Sequence, residues 1–161
     1  MGRDSGTHPG GHNTMVDIEE LKSKYLNLVF DRRDFTVKAE NSATVARISG
    51  ETRPEYTDPS HAAFEVFPAY IASLSSGRHL PIDFPSLGGL PVDGGKAVTS
   101  LQPVPAGVPL NGRTHLHDIY DKSGRSGRMI FLVSRMEIYD AAEKLLALAD
   151  SRMVIRERSE S

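Results

Sequence analysis

Phe64-Glu65-Val66-Phe67-Pro68-Ala69-Tyr70-Ile71-Ala72-Ser73-Leu74 offers apolar residues on every side of the helix it can form. Pro68 suits the first turn of a helix that begins near Phe67, where its missing N–H costs nothing. A helix without a polar face has to be covered all round. The stretch therefore reads as a central buried helix, and the sequence on both sides can be sorted by how it covers one.

Downstream, β signals accumulate. Gly77 to Gly95 holds five Gly and three Pro without periodicity and reads as a long loop, of the kind that is functional or mobile. Lys96 to Val104 and Leu110 to Asp121 read as strands. Ser123-Gly124-Arg125-Ser126-Gly127 makes a turn, and Met129 to Tyr139 is a strong strand. Asp140 to Asp150 has high helix propensity, yet alternation from Leu145 through Ala147, Ala149, Ser151, Met153 and Ile155 also permits a strand. Upstream, Asp17 can cap a helix carrying Ile18, Leu21, Tyr25 and Leu26. An extended stretch from Leu28 to Val37 has the charged middle Asp31-Arg32-Arg33-Asp34. Asn41-Ser42 offers an N-cap for a short helix with Val45, Ala46 and Ile48 on one face, ended by Gly50.

The chain has 161 residues, enough for one domain, with 19 Lys+Arg against 21 Asp+Glu and a formal charge of −2. That balance carries no electrostatic footprint for nucleic acid or an anionic membrane. No apolar run approaches the ~18 residues of a membrane helix. Cysteine is absent, which excludes disulfides, thiolate metal sites and a cysteine nucleophile. A cytoplasmic protein is expected. Residues 1–15 and 159–161 are expected to be tails, with a single domain over 16–158; Met1 to Thr14, with four Gly and two His, has nothing to bury.

Chemistry-bearing residues are few. His8 and His12 sit in the expected tail. His115 and His117, two apart on a strand, point to one face, with Asp118 on the other. They lack an identifiable third ligand, so a solvated strand face is the economical reading and no metal is expected. The paired glycines Gly88-Gly89 and Gly94-Gly95 match no phosphate loop and read as turns. No Gly-x-Ser-x-Gly elbow supports a serine hydrolase. Ser49 to Ala63 gathers a helix end, a proline turn and acids beside a phenol, with Asp58 placed to cap a turn.

That last segment resembles the MaoC-like dehydratases. Their R-specific enoyl-CoA hydratases carry Gly-Asp-x-Asn-Pro-(aliphatic)-His, and this chain has Gly50-Glu51-Thr52-Arg53-Pro54-Glu55-Tyr56. Gly and Pro are kept; Glu51 stands where the catalytic Asp would be, and Tyr56 where the His would be. Asp58 and Ala62-Ala63 are similar to the N-terminal-type, non-catalytic relatives. Phe67-Pro68 resembles the family's helix start. Asp93-Gly94 with Pro103-Val104-Pro105-Ala106-Gly107 resembles its strand entering a turn, and Arg128 to Arg156 its closing hairpin. The likeness spans Ile18 to Arg156.

The resemblance implies an α+β hotdog fold, an antiparallel sheet wrapped around the helix, and favours a turn near Asp140–Glu143 followed by a strand to Ile155. It implies acyl-CoA or acyl-carrier-protein thioesters bound between paired domains, and no cofactor. In active relatives the Asp and His activate a water. A Tyr at about 10 is a poor base, and Glu is one methylene longer than Asp. No catalytic residue is therefore expected. The leading expectation is a non-catalytic subunit shaping the acyl tunnel for a catalytic partner. Alternatives are a homodimeric hydratase using Glu51 and a non-enzymatic acyl-CoA binder. Phe67, Pro68 and Tyr70 are candidates to touch the acyl chain, with core packing the plainer reading for each.

Overall fold

A computed structural model describes residues 16–74 and 78–157. The expected tails, with His8 and His12, lie outside the described residues. In chain order the elements are α1 (Ile18–Tyr25), β1 (Val29–Phe35), α2 (Ala39–Ile48), α3 (Pro54–Thr57), α4 (Pro68–Ser73), β2 (Pro91–Ser100), β3 (Leu110–Gly124), β4 (Gly127–Tyr139) and β5 (Leu145–Arg156). The strands form one antiparallel sheet in the order β1-β3-β4-β5-β2.

Alternation along β4 sets the core. Ile130, Leu132, Met136 and Ile138 are buried on the face that looks inward. Leu110, Leu116 and Ile119 of β3 and Ala147, Ala149 and Ile155 of β5 are buried with them. Two apolar clusters result. One joins Val37, Val66, Ile71 and Val104 to the Leu110 end of the sheet, and the other joins Leu21, Tyr25 and Leu87 to the Leu116 end. Bulges between Leu116 and Asp118, between Val29 and Asp31 and between Asp93 and Lys96 bend and twist the strands.

Several expectations hold. Asp17 caps α1, its Oδ1 accepting from Glu20 N at 3.2 Å. Gly50 follows α2 at φ +83°, in the left-handed region. The Asp140–Asp150 ambiguity resolves as a hairpin and a strand. Asp140 Oδ1 accepts from both Ala142 N and Lys144 N at 2.9 Å, and Glu143 takes φ +62°. Those local bonds, followed by the whole β4–β5 ladder, outweigh a helix propensity of tenths of a kcal/mol per residue.

Others need correction. The central helix starts where expected, with Phe67 its N-cap and Pro68 its first residue, but it ends at Ser73 and is not covered all round. Only Ile71 of α4 is buried, and Ala69 is exposed. The sheet itself supplies what the helix does not cover. Ser42 is no N-cap; Lys38 holds that position, and Ser42 is fully buried inside α2. Ile48, expected on the inner face of α2, is 81% exposed.

The expected loop Gly77–Gly95 contains the start of β2, which ends at Ser100 rather than Val104. Gly94-Gly95 is a bulge in that strand, not a turn. A Cβ on Gly94 would lie 2.7 Å from Val154 Cγ2, and one on Gly89 2.3 Å from Arg156 O. These glycines allow the chain to run close along β5. Part of the described loop packs: Leu80, Phe84 and Leu87 join the second apolar cluster, and Tyr25 donates its hydroxyl proton to Asp83 O at 2.9 Å.

Candidate functional site

The last turn of α2 delivers the motif. Glu51 N returns to Ala46 O at 2.9 Å and Gly50 N to Arg47 O at 3.0 Å, closing the helix and aiming the next residues outward. Arg53 is the N-cap of α3 and Pro54 its first residue, so Tyr56 lies one turn on, its N bonded to Arg53 O at 3.0 Å. Phe67 N donates to Ser42 Oγ at 2.8 Å, which fixes the start of α4 against α2.

These anchors bring Glu51, Arg53, Tyr56 and Phe67 into one cluster. Glu51 Oε1 accepts from Thr52 N at 3.1 Å and from Arg53 N and Nε at 3.0 Å each; Oε2 accepts from Arg53 Nη2 at 3.2 Å. The Arg53 guanidinium also lies over the Tyr56 ring at 4.9 Å. That ring meets Phe67 edge-on at 5.4 Å. The side-chain bond from Arg53, helped by the backbone N–H groups, holds the Glu51 carboxyl at about 2, well below the usual carboxylate range. Tyr56 is pushed the other way, because its hydroxyl bonds the Glu65 carboxylate and is half-buried.

The chemical consequence is plain. A general base works best when its pKa lies near the operating pH. Glu51 is ionised and fully engaged by donors, and Tyr56 keeps its proton. Arg53 is the residue that sequence reasoning missed, although it stands at the Asn position of the motif and two residues from Glu51.

Phe67 and Tyr70 pack, Phe67 against Tyr56 and Tyr70 against the first apolar cluster; Pro68 opens α4. None of the three lines the cavity that opens beside β2, β4 and β5. That cavity, about 270 Å³, lies between β2, β4 and β5, lined by His79, Pro91, Lys96, Ser134, Ser151 and Met153 among others. A compartment of about 20 Å³ shares His79, Ser134 and Ser151 with it and adds Leu74, Arg78, Thr114, Met136 and Ala149. A signal for it stood in the sequence: Ser134 interrupts the apolar alternation Ile130, Leu132, Met136, Ile138.

The histidine pair departs from expectation. His115 is 6% exposed rather than solvated, its Nε2 3.4 Å from His117 Nδ1 and its Nδ1 3.4 Å from Glu137 Oε1. The bulge after Leu116 puts Asp118 opposite Val133, on the same face as His115 opposite Arg135. Among the described residues no group of three or more His, Cys, Asp or Glu is arranged to hold a metal ion. No helix among them is long and apolar enough to cross a membrane.

No family model matches the chain, and no curated protein does. Solved structures do. A MaoC-like dehydratase from Phytophthora capsici is 22% identical with a TM-score of 0.61, covering 86% of this chain and 50% of that one. The C-terminally truncated HadBC (3R-hydroxyacyl-ACP dehydratase) complex from Mycobacterium tuberculosis is 18% identical, TM-score 0.60, over 87% of this chain and 98% of that one. The ChsH1–ChsH2 complex from the same organism is 16% identical, TM-score 0.60, over 89% and 91%. The chain thus spans half of the Phytophthora protein and nearly all of the two mycobacterial chains. With its five-stranded antiparallel sheet and α4 packed on the inward face, it is a hotdog-fold domain of the architecture found in MaoC-like dehydratases.

Proposed function

We propose that this chain is the non-catalytic subunit of a heteromeric enoyl-thioester hydratase or 3-hydroxyacyl-thioester dehydratase, shaping the acyl-binding tunnel for a catalytic partner of the same fold. The observation that carries this is the locked Glu51. Hydration adds a water hydroxyl to C3 of the enoyl thioester and a proton to C2, which requires a base for the water and an acid for the carbon. Glu51, saturated by Arg53 and held at about 2, is a poor base at neutral pH. Tyr56, bonded to Glu65 and raised from its ordinary value, gives up its proton less readily than a free phenol. The same observation weighs against a homodimeric hydratase that uses Glu51.

Pairing is supported by β2. It is a ten-residue edge strand, largely exposed, with Leu90 and Val92 exposed beside it. Such an edge calls for a partner or a cover. The hydratase and dehydratase names come from neighbours of the same fold, two of them named as complexes. The ligand in this reading is an acyl-CoA or acyl-carrier-protein thioester, and the compartment the cytoplasm.

The test is turnover of crotonyl-CoA, followed by loss of the conjugated thioester absorbance. The purified chain alone is expected to give none. Adding a co-expressed hotdog chain with an intact Asp/His pair is expected to give turnover exceeding that of the partner alone. Turnover by the chain alone that disappears in Glu51→Gln overturns the reading in favour of Glu51 as base. Acyl-CoA binding without turnover in either setting replaces it with the plain acyl-CoA binder.

A further inference from the structure

The inward face of the sheet is crossed by one polar row. Asp31 of β1 stands opposite Thr114 of β3; one step along, Ser134 of β4 stands opposite Ser151 of β5, and Ser151 opposite Lys96 of β2. The row falls between the two apolar clusters: Leu110 and Met136 lie on one side, Leu116 and Leu132 on the other. Packing alone favours an apolar residue at each of these positions. Ser134 satisfies its hydroxyl by donating to His79 O. Thr114 does not. It is 3% exposed and its Oγ1 has no hydrogen-bond partner; the buried Oδ2 of Asp31, its ladder neighbour, has none either. An unpaired buried oxygen lowers stability unless something else answers it.

Thr114 lines the compartment of about 20 Å³ that shares three residues with the larger cavity. That volume admits one oxygen-sized group. We propose that the cavity takes an acyl chain bearing a hydroxyl group distant from the thioester, and that this hydroxyl bonds Thr114 Oγ1. This rests on the thioester-binding reading above and specifies its substrate class. A hydroxyl fits better than a ketone. It can donate to the Thr114 oxygen or accept from the Thr114 O–H, whereas a ketone can only accept. The larger cavity has the matching character. Pro91, Val92 and Met153 offer it an apolar wall for a hydrocarbon chain, the charged Asp93, Lys96 and Arg152 line the rest, and Ser151 and Ser134 border the passage towards Thr114. The 3-hydroxyl created by hydration itself is a different group, because the motif cluster around Glu51 does not line this cavity.

The experiment is a calorimetric titration of octanoyl-CoA and 8-hydroxyoctanoyl-CoA into the chain in the assembly it forms in solution. Wild type is expected to bind the hydroxylated ligand about tenfold more tightly, equivalent to about 1.4 kcal/mol. Thr114→Val is expected to lose most of that preference while binding octanoyl-CoA at least as well. Ser151→Ala, which borders the same passage, is expected to weaken the preference too and serves if Thr114→Val fails to fold. Equal affinity of wild type for the two ligands, or a preference untouched by both substitutions, overturns the hydroxyl inference and leaves thioester binding standing. Binding of neither ligand overturns the thioester reading and the inference with it.

Discussion

Replacing Arg53 by Gln removes the guanidinium that grips both oxygens of Glu51 and keeps only the inner part of the side chain. Arg53 contributes the largest cause of the depressed carboxyl, its side-chain bond, and a smaller charge effect; the backbone N–H groups of residues 52 and 53 remain in the variant. Glu51 should therefore rise from about 2 by more than about one unit towards its ordinary value of 4.5, without regaining it in full. The assay is a carboxyl-carbon NMR titration of Glu51 in both proteins. The linkage sign is fixed by the direction of the shift. A carboxyl depressed in the folded state contributes stability above its unfolded value, and that contribution is lost as pH falls from about 4.5 through about 2. Wild type should thus exceed Arg53→Gln in stability at neutral pH, and the gap should close across that acid window. A wild-type Glu51 that titrates near 4.5 would falsify the lock, and with it the main reason for denying this carboxylate a role as base.

Three further perturbations test the scaffold. Ser42→Ala strips the acceptor from the buried Phe67 N–H, bonded at 2.8 Å, and should cost about 1–3 kcal/mol, read as a fall of roughly 2–4 °C in Tm per kcal/mol; an unchanged Tm means that bond does not hold α4 to α2. Gly112→Ala places a Cβ 2.8 Å from Met136 Sδ and 3.3 Å from Phe35 Cε1, so urea unfolding should show a loss of about 1–2 kcal/mol, partly relieved in the double variant with Met136→Ala. Strict additivity of the two substitutions would refute that contact. His115, kept neutral by burial despite Glu137 and Asp150 and helped by His117 and Arg135, has a folded pKa below 6.5, so stability should fall as pH drops from about 7 through that value; His115→Asn should flatten the Tm-against-pH curve there, and an unaltered slope would rule out His115 as its cause.

Much of the fold could be read from local pattern because period-two alternation in β3, β4 and β5 coincides with one buried face. Ile130, Leu132, Met136 and Ile138 point inward in sequence and in space alike. The misreadings share a cause: each depended on a distant partner. Whether Gly94-Gly95 is a turn or a bulge is decided by β5, which needs room beside Val154. Ser42 is an unremarkable helix residue until Phe67 N arrives to use its hydroxyl. Hydrophobic pattern records which side of an element is covered, and says little about which polar group finishes another element's hydrogen bonds.

The site divides along the same line. Aligning a motif by resemblance identified positions, and Glu51 and Tyr56 do fall into one cluster around Arg53. What the cluster does, however, depends on charge, and the deciding charge sits at a position whose residue type differs from the motif. An Asn beside a carboxylate leaves its charge uncompensated; Arg53 neutralises it, occupies both oxygens and stacks on the phenol. In the proposed reading, losing proton-transfer capacity at this place does not require that the acid be deleted. It is enough that a cation two residues away claims it. Apolar residues at a helix start are recruited by packing wherever a core is near, whereas buried hydroxyls without partners, such as that of Thr114, have no packing reason to be there.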